Sequence, residues 1–234
     1  MNYNLKHFAQ SGIFAFWASV TMVATLFATY FLIEPAISHG DESVDITVRA
    51  QITDETSFLV PPANVTMAGT LNGVTGGQAT GTTQFVVQTN NTAGYYVTID
   101  FFDNGSAEAM QGDTSLSDAI HDYQGYTIGQ PTYGYVASTS AQFAYTVTAS
   151  STSDLDQSFL NNGAACNLGG SQNGAVSCWM APSTTAFRIM DTSAAAVTGA
   201  TSTVTFNLTV PSGATPVPQA EWYTATVTLS VIAK

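Results

Sequence analysis

The side chains with chemical potential are few, and most have an ordinary structural use. Cys166 and Cys178 flank a Gly/Asn/Ser-rich stretch, NLGGSQNGAVS. A lone cysteine pair lacks the second pair that a zinc site needs. Outside the cytoplasm it reads as a disulfide pinching a surface loop, the alternative being two free buried thiols. Nucleophilic catalysis needs a general base, usually His. The candidates are His121 and, near the start of the exported body, His39; no G-x-S-x-G elbow, H-E-x-x-H or phosphate-cradling glycine loop accompanies them. Asp100/Asp103 and Asp154/Asp156 are close enough in sequence for paired acid–base work on a glycoside. The same residue types also build ordinary turns. Oxygen ligands around Asp103-Asn104-Gly105 could hold calcium, although the ordered spacing of an EF-hand loop is missing. The expectation is no catalytic residue, no metal ligand and no cofactor beyond that calcium.

Tyr123, Tyr126, Tyr133 and Tyr135 gather in a Gly/Pro-rich stretch. Exposed, they would form a platform on which a sugar ring stacks. As alternate residues beside a strand, they would cover a core edge instead. Four N-x-S/T sequons, at Asn64, Asn90, Asn104 and Asn207, matter only where a glycosylating machinery exists.

Those residues sit on a chain that is 9% charged, against about 25% for soluble domains. Thr, Ser, Asn, Gln and Gly must supply the polar surface, while Val, Ile, Phe and Tyr are plentiful enough to pack. Past the apolar N-terminus the cations are Arg49, Arg188 and Lys234, within a net charge of -12. Such a surface repels phosphate backbones, which excludes nucleic acid as a partner.

An uncharged run spans residues 8–33, with Lys6 and His7 before it and Glu34, Asp41 and Glu42 after. The early cation places the N-terminus inside and the remainder outside. Two fates follow. A signal peptide would be cut after Ala36-Ile37-Ser38, releasing a chain that starts at His39. The run is also longer than the ~20 residues that span a bilayer, which favours retention as an anchor. No acid occurs within it, so it does not match a type IV pilin leader. The membrane is thus the expected partner of residues 1–38.

Residues 39–234 read as a single extracytoplasmic domain, without an internal repeat or βαβ alternation. Val44, Ile46, Val48, Ala50 and Ile52 alternate with Asp45, Thr47, Arg49 and Gln51, predicting a half-buried strand. After Pro61-Pro62, Val65, Met67 and Leu71 suggest a shorter strand, and glycines 73, 76, 77 and 81 a loop. Strands follow at 83–89 and 95–102, joined by the turn residues 90–94. Residues 104–131 lack periodicity, with a short helical turn expected at 116–121. Strong alternation returns at 142–149. Residues 150–183 form a second long loop, and strands are expected at 186–190, 203–210 and 222–232. The pattern predicts an all-β fold, an antiparallel β-sandwich preceded by one apolar helix.

The phrase TQFVVQTNNTAGYYVTIDF, after an early strand and a proline break, resembles secreted bacterial surface domains of the spore-coat-U and WxL kind. The ending WYTATVTLSVIA is similar to the last strand of those domains and of fimbrial subunits. The resemblance covers about a third of the chain; the long loops depart from it. It implies an immunoglobulin- or pilin-like sandwich with an extracellular structural or adhesive role. If the leader is cut before His39, residues 44–52 would sit at a new N-terminus, free to add to a neighbour's sheet edge, making a second copy the expected partner. A tethered module that binds surface glycans or proteins through the tyrosines is the alternative, and a secreted hydrolase the third reading.

Overall fold

A computed structural model describes residues 5–33, 46–102, 108–123, 130–136, 138–172 and 177–234. The chain separates into two units, residues 1–51 and 52–234.

The first unit holds one helix, α1 (Leu5–Ile33). Its stretch Gly12–Tyr30 is long and apolar enough to cross a membrane. Nineteen residues rising 1.5 Å each give about 28 Å, close to the ~30 Å hydrocarbon core. Its threonine hydroxyls are internally satisfied: Thr21, Thr25 and Thr29 each donate to the carbonyl four residues back, at 2.8–2.9 Å. Such back-bonding lets threonines sit in lipid without an unpaired donor.

The second unit is all-β. Its strands are β1 (Thr56–Val60), β2 (Ala68–Thr70), β3 (Gly77–Thr89), β4 (Tyr95–Phe102), β5 (Met110–Gly112) and β6 (Ala119–Asp122). They continue with β7 (Thr132–Tyr133), β8 (Gln142–Ala149), β9 (Cys178–Trp179), β10 (Phe187–Thr192), β11 (Ala196–Val210) and β12 (Tyr223–Ala233). One mixed sheet runs β1-β3-β11-β8-β6-β5-β12-β4-β10, with β2 also on β3; β7 and β9 pair separately. No closed barrel forms. The sheet folds over on itself. Phe101 of β4 meets Phe143 edge-on at 6.2 Å and Tyr145 at 5.3 Å, both on β8. Phe85, Val97, Ile99, Val147, Ile189 and Val204 complete a core with almost no exposure.

The β3–β4 hairpin shows how local chemistry sets the register. Asn91 Oδ1 accepts from the Ala93 amide, and Gly94 adopts φ +89°. A Cβ at Gly94 would lie 2.1 Å from the Thr192 carbonyl oxygen, so only glycine fits where the turn meets β10.

The expected strands at Tyr95–Phe102 and Gln142–Ala149 form with those bounds. Other elements differ from expectation. Residues 46–55 form no strand, and Ile46, Val48 and Ile52 are more than 80% exposed. Val44 lies outside the described residues. A strand needs a partner edge, and among the described residues none is paired with this segment. The first paired strand is instead β1, where Thr56 lies opposite Thr89.

Around residues 65–71 only β2 pairs, so Val65 and Met67 belong to an irregular rim. Gly77 and Gly81 lie inside β3 and not in a loop. Of the helical turn expected at 116–121, only its start forms, where the Asp118 amide donates to the Ser115 carbonyl at 2.9 Å; the rest is β6, whose His121 pairs with Gln142 in a parallel ladder. The sheet is therefore mixed and not purely antiparallel. The late strands run longer than expected or shift, as β10 and β11 show.

Candidate functional site

The last strand has the clearest alternation in the chain, yet its inward face is unfinished. Tyr223, Ala225, Val227, Leu229 and Val231 are only half-buried, whereas the inward residues of β3, β4 and β8 are buried. Beside them opens a groove of about 680 Å³. Its floor includes Phe143, Phe206 and Leu208, one wall includes Val227 and Leu229, and Val65 and Met67 stand on the opposite rim. Trp222, 77% exposed, stands at its mouth.

The rim is fixed by β3. Thr83 Oγ1 accepts from the Ala63 amide and donates to the Ala63 carbonyl, both at 2.9 Å. Gly81 makes the approach possible, since a Cβ there would lie 2.3 Å from Val65 Cγ1. Across the groove, β12 pairs with β4 along 226–233. On its other edge β5 reaches only Tyr223, Thr224 and Ala225. Residues 226–233 thus have one free edge among the described strands.

Near the mouth, carboxylates are spent on structure. Glu221 Oε2 accepts from the amides of Thr114 at 2.6 Å and Ser115 at 3.2 Å. Asp118 Oδ2 accepts from the Gln219 amide at 2.8 Å and from the Tyr223 hydroxyl at 2.6 Å. Burial, then the Asp118 bond, pushes the Tyr223 phenol up. His121 Nδ1 meets Glu108 Oε1 at 2.8 Å, and the other Glu108 oxygen accepts from the Asp122 amide. Asp122 Oδ1 in turn accepts from the Ala109 amide at 3.0 Å, which clasps the β5 side to β6.

Asp156 caps a 3-10 turn by accepting from the Ser158 amide at 2.9 Å, and Asp154 lies in the turn before it. Asp103, and with it the Asp100/Asp103 pair and the calcium expectation, falls outside the described residues. Among the described residues no group of three or more His, Cys, Asp or Glu is arranged to hold a metal ion. Arg188 and Lys234 both bind Asp191, and Lys234 is the main reason its carboxyl lies below the usual range.

Among the described residues, Tyr123, Tyr133 and Tyr135 do not form an exposed platform. Tyr123 is 2% exposed, and its hydroxyl accepts from the Val136 amide at 2.8 Å. Tyr135 stacks on it at 4.9 Å, meets Trp179 edge-on at 5.8 Å and donates to the Gln142 carbonyl at 3.2 Å. Tyr133 is half-buried in β7, and Tyr126 lies outside the described residues. The described rings cover a core edge. Of the sequons, Asn64 and Asn90 are exposed, Asn207 is buried, and Asn104 lies outside the described residues.

Burial raises the Tyr135 phenol to about 12 and lifts Tyr95 and Tyr145 further. The unfolded chain ionises its tyrosines near 10, so the folded state holds more protons above that pH. Stability is therefore expected to hold up to pH ~10 and fall steadily above it. Denaturant midpoints at pH 8, 10 and 11.5 check this; equal midpoints would contradict it.

Cys166 and Cys178 form the disulfide, with Cα atoms 5.8 Å apart. Cys178 is buried beside Leu160 and Met180, so the bond ties the loop to the core. Closing a loop of this size contributes about 3 kcal/mol in the chain-entropy model. The double variant C166S/C178S should melt roughly 6–12 °C lower. An unchanged thermal transition would contradict this.

No protein-family model matches the chain, and no curated protein sequence does.

Proposed function

We propose that this chain is a non-catalytic structural or adhesion subunit presented outside a membrane and joined to its neighbours by strand addition. One observation carries the reading: a strand-patterned segment, residues 46–52, stands exposed and unpaired in front of the first paired strand. Ile46, Val48 and Ile52 present apolar side chains to water, a state that edge pairing with another chain would relieve. The membrane-length helix and the disulfide support delivery to an oxidising compartment. Cleavage before His39 and retention of the helix both leave the segment outside.

The tethered glycan-binding reading has less support, because Tyr123 and Tyr135 are packed against one another and the body. A hydrolase has less still, since Glu108, His121, Asp118 and Glu221 are engaged with backbone or with each other. Deleting residues 39–53 tests the proposal. Sedimentation of the purified protein should show assemblies for the natural chain and monomers for the deletion. Equal assembly by both would overturn it.

A further inference from the structure

We infer that the groove beside β12 is the seat for residues 44–52 of a second copy, laid along the free edge of β12. This rests on the strand-addition reading and adds the receptor. The segment carries five alternate apolar residues, Val44 to Ile52, and β12 presents Val227 and Leu229, half-buried, to the groove. Seated there, the segment would turn its apolar residues onto Phe143, Phe206 and Leu208. Asp45, Thr47, Arg49 and Gln51 would face outward beside Thr226, Thr228 and Ser230, so no charge is buried. The backbone of 226–233 would gain the ladder that β5 supplies only to 223–225.

The occupant comes from another copy because the chain's own segment leaves at the wrong end. Asn90 holds residues just before β1: its Oδ1 accepts from the Glu55 amide at 2.6 Å, and its Nδ2 donates to the Thr53 carbonyl at 3.1 Å. That places 53–55 beside the β3–β4 turn, where the Ala233 end of β12 also lies, whereas the groove beside 221–229 lies by Ala79 and Thr83. Six strand residues separate Thr83 from Thr89, about 20 Å. To reach its own groove the segment would have to reverse within 53–55, the residues that Asn90 ties down. With the helix retained, residues 34–43 extend at most roughly 35 Å, enough to pass the segment to an adjacent molecule on the same membrane.

Mixed oxidation of full-length variants, each with one cysteine added beside the native Cys166–Cys178 disulfide, tests the inference. V48C is combined with V227C, with L229C, or with T82C on the outer, exposed face of β3, and heterodimers are read by non-reducing mass analysis. The V227C or L229C combination should give at least tenfold more heterodimer than T82C. Equal yields, with assembly still abolished by the 39–53 deletion, would place the receptor elsewhere and overturn this inference alone. A cross-link found only within monomers of the double variant V48C/V227C would overturn it in favour of the chain's own segment. Assembly that survives the deletion would overturn both this inference and the reading beneath it.

Discussion

Replacing Val48 by aspartate should weaken self-association at least 100-fold while leaving the folded monomer unchanged. Val48 is 86% exposed in the single chain, so the substitution removes no packed contact there. Exposed substitutions away from special features usually shift stability by less than about 0.5 kcal/mol. In the groove the same carboxylate would face Phe206 and Leu208, with no cation among the groove's lining residues. Burying an unpaired carboxylate costs several kcal/mol, and each ~1.4 kcal/mol is tenfold in affinity. Thr47→Asp, on the opposite face, should leave association within about threefold, because its side chain stays in water. Sedimentation velocity across a dilution series, paired with thermal melts, measures both effects. Equal loss from the two variants would mean that the alternation of the segment is not what is read.

Phe143→Ala is expected to act oppositely, on the fold first. Phe143 is 2% exposed, meets Phe101 edge-on at 6.2 Å and stacks on Phe206 at 5.9 Å. Removing a buried aromatic ring costs about 3–5 kcal/mol, against a typical total of 5–15 kcal/mol. The melting temperature should drop by roughly 6–20 °C for a body of this size. Leu229→Ala supplies the contrast. Its side chain is half-buried beside an open groove, so the isolated monomer should lose much less than with Phe143→Ala, whereas the assembly should lose affinity. Denaturant unfolding of monomeric protein checks the ranking, and a larger loss from Leu229→Ala would contradict a groove that is open in the monomer.

Much of the fold was legible because strands announce themselves by period two. Residues 95–102 and 142–149 alternate cleanly between turn residues and match the observed strands to the residue. β12 was equally plain, but its alternation names only the face that wants burial and not what covers it. The same limit explains residues 44–52, whose pattern is as regular as that of β12 while the described part stays unpaired. β5 and β6 are too short to display a period, so 116–121 resembled a helical turn. The parallel contact of β6 with β8 joins residues distant in sequence, and no local signal encodes it. Gly81 looked like a loop marker but serves close approach of the Val65 rim to β3.

The candidate site was half legible. The free segment could be read from its alternation, whereas the groove emerges only when Phe143, Phe206, Val65 and Val227 converge from four parts of the chain. Two cysteines with no other thiol left a single pairing, which the fold contains. The tyrosines left two readings open because clustering in sequence does not distinguish rings that face solvent from rings that stack on each other, as Tyr123 and Tyr135 do.

Amide hydrogen exchange of residues 44–52, compared between assembled and monomeric protein, reads strand addition at the segment itself. Strand addition predicts rapid exchange in the monomer and strong protection in the assembly, accompanied by protection of the free edge at 226–233. Equally rapid exchange of residues 44–52 in both states would contradict it.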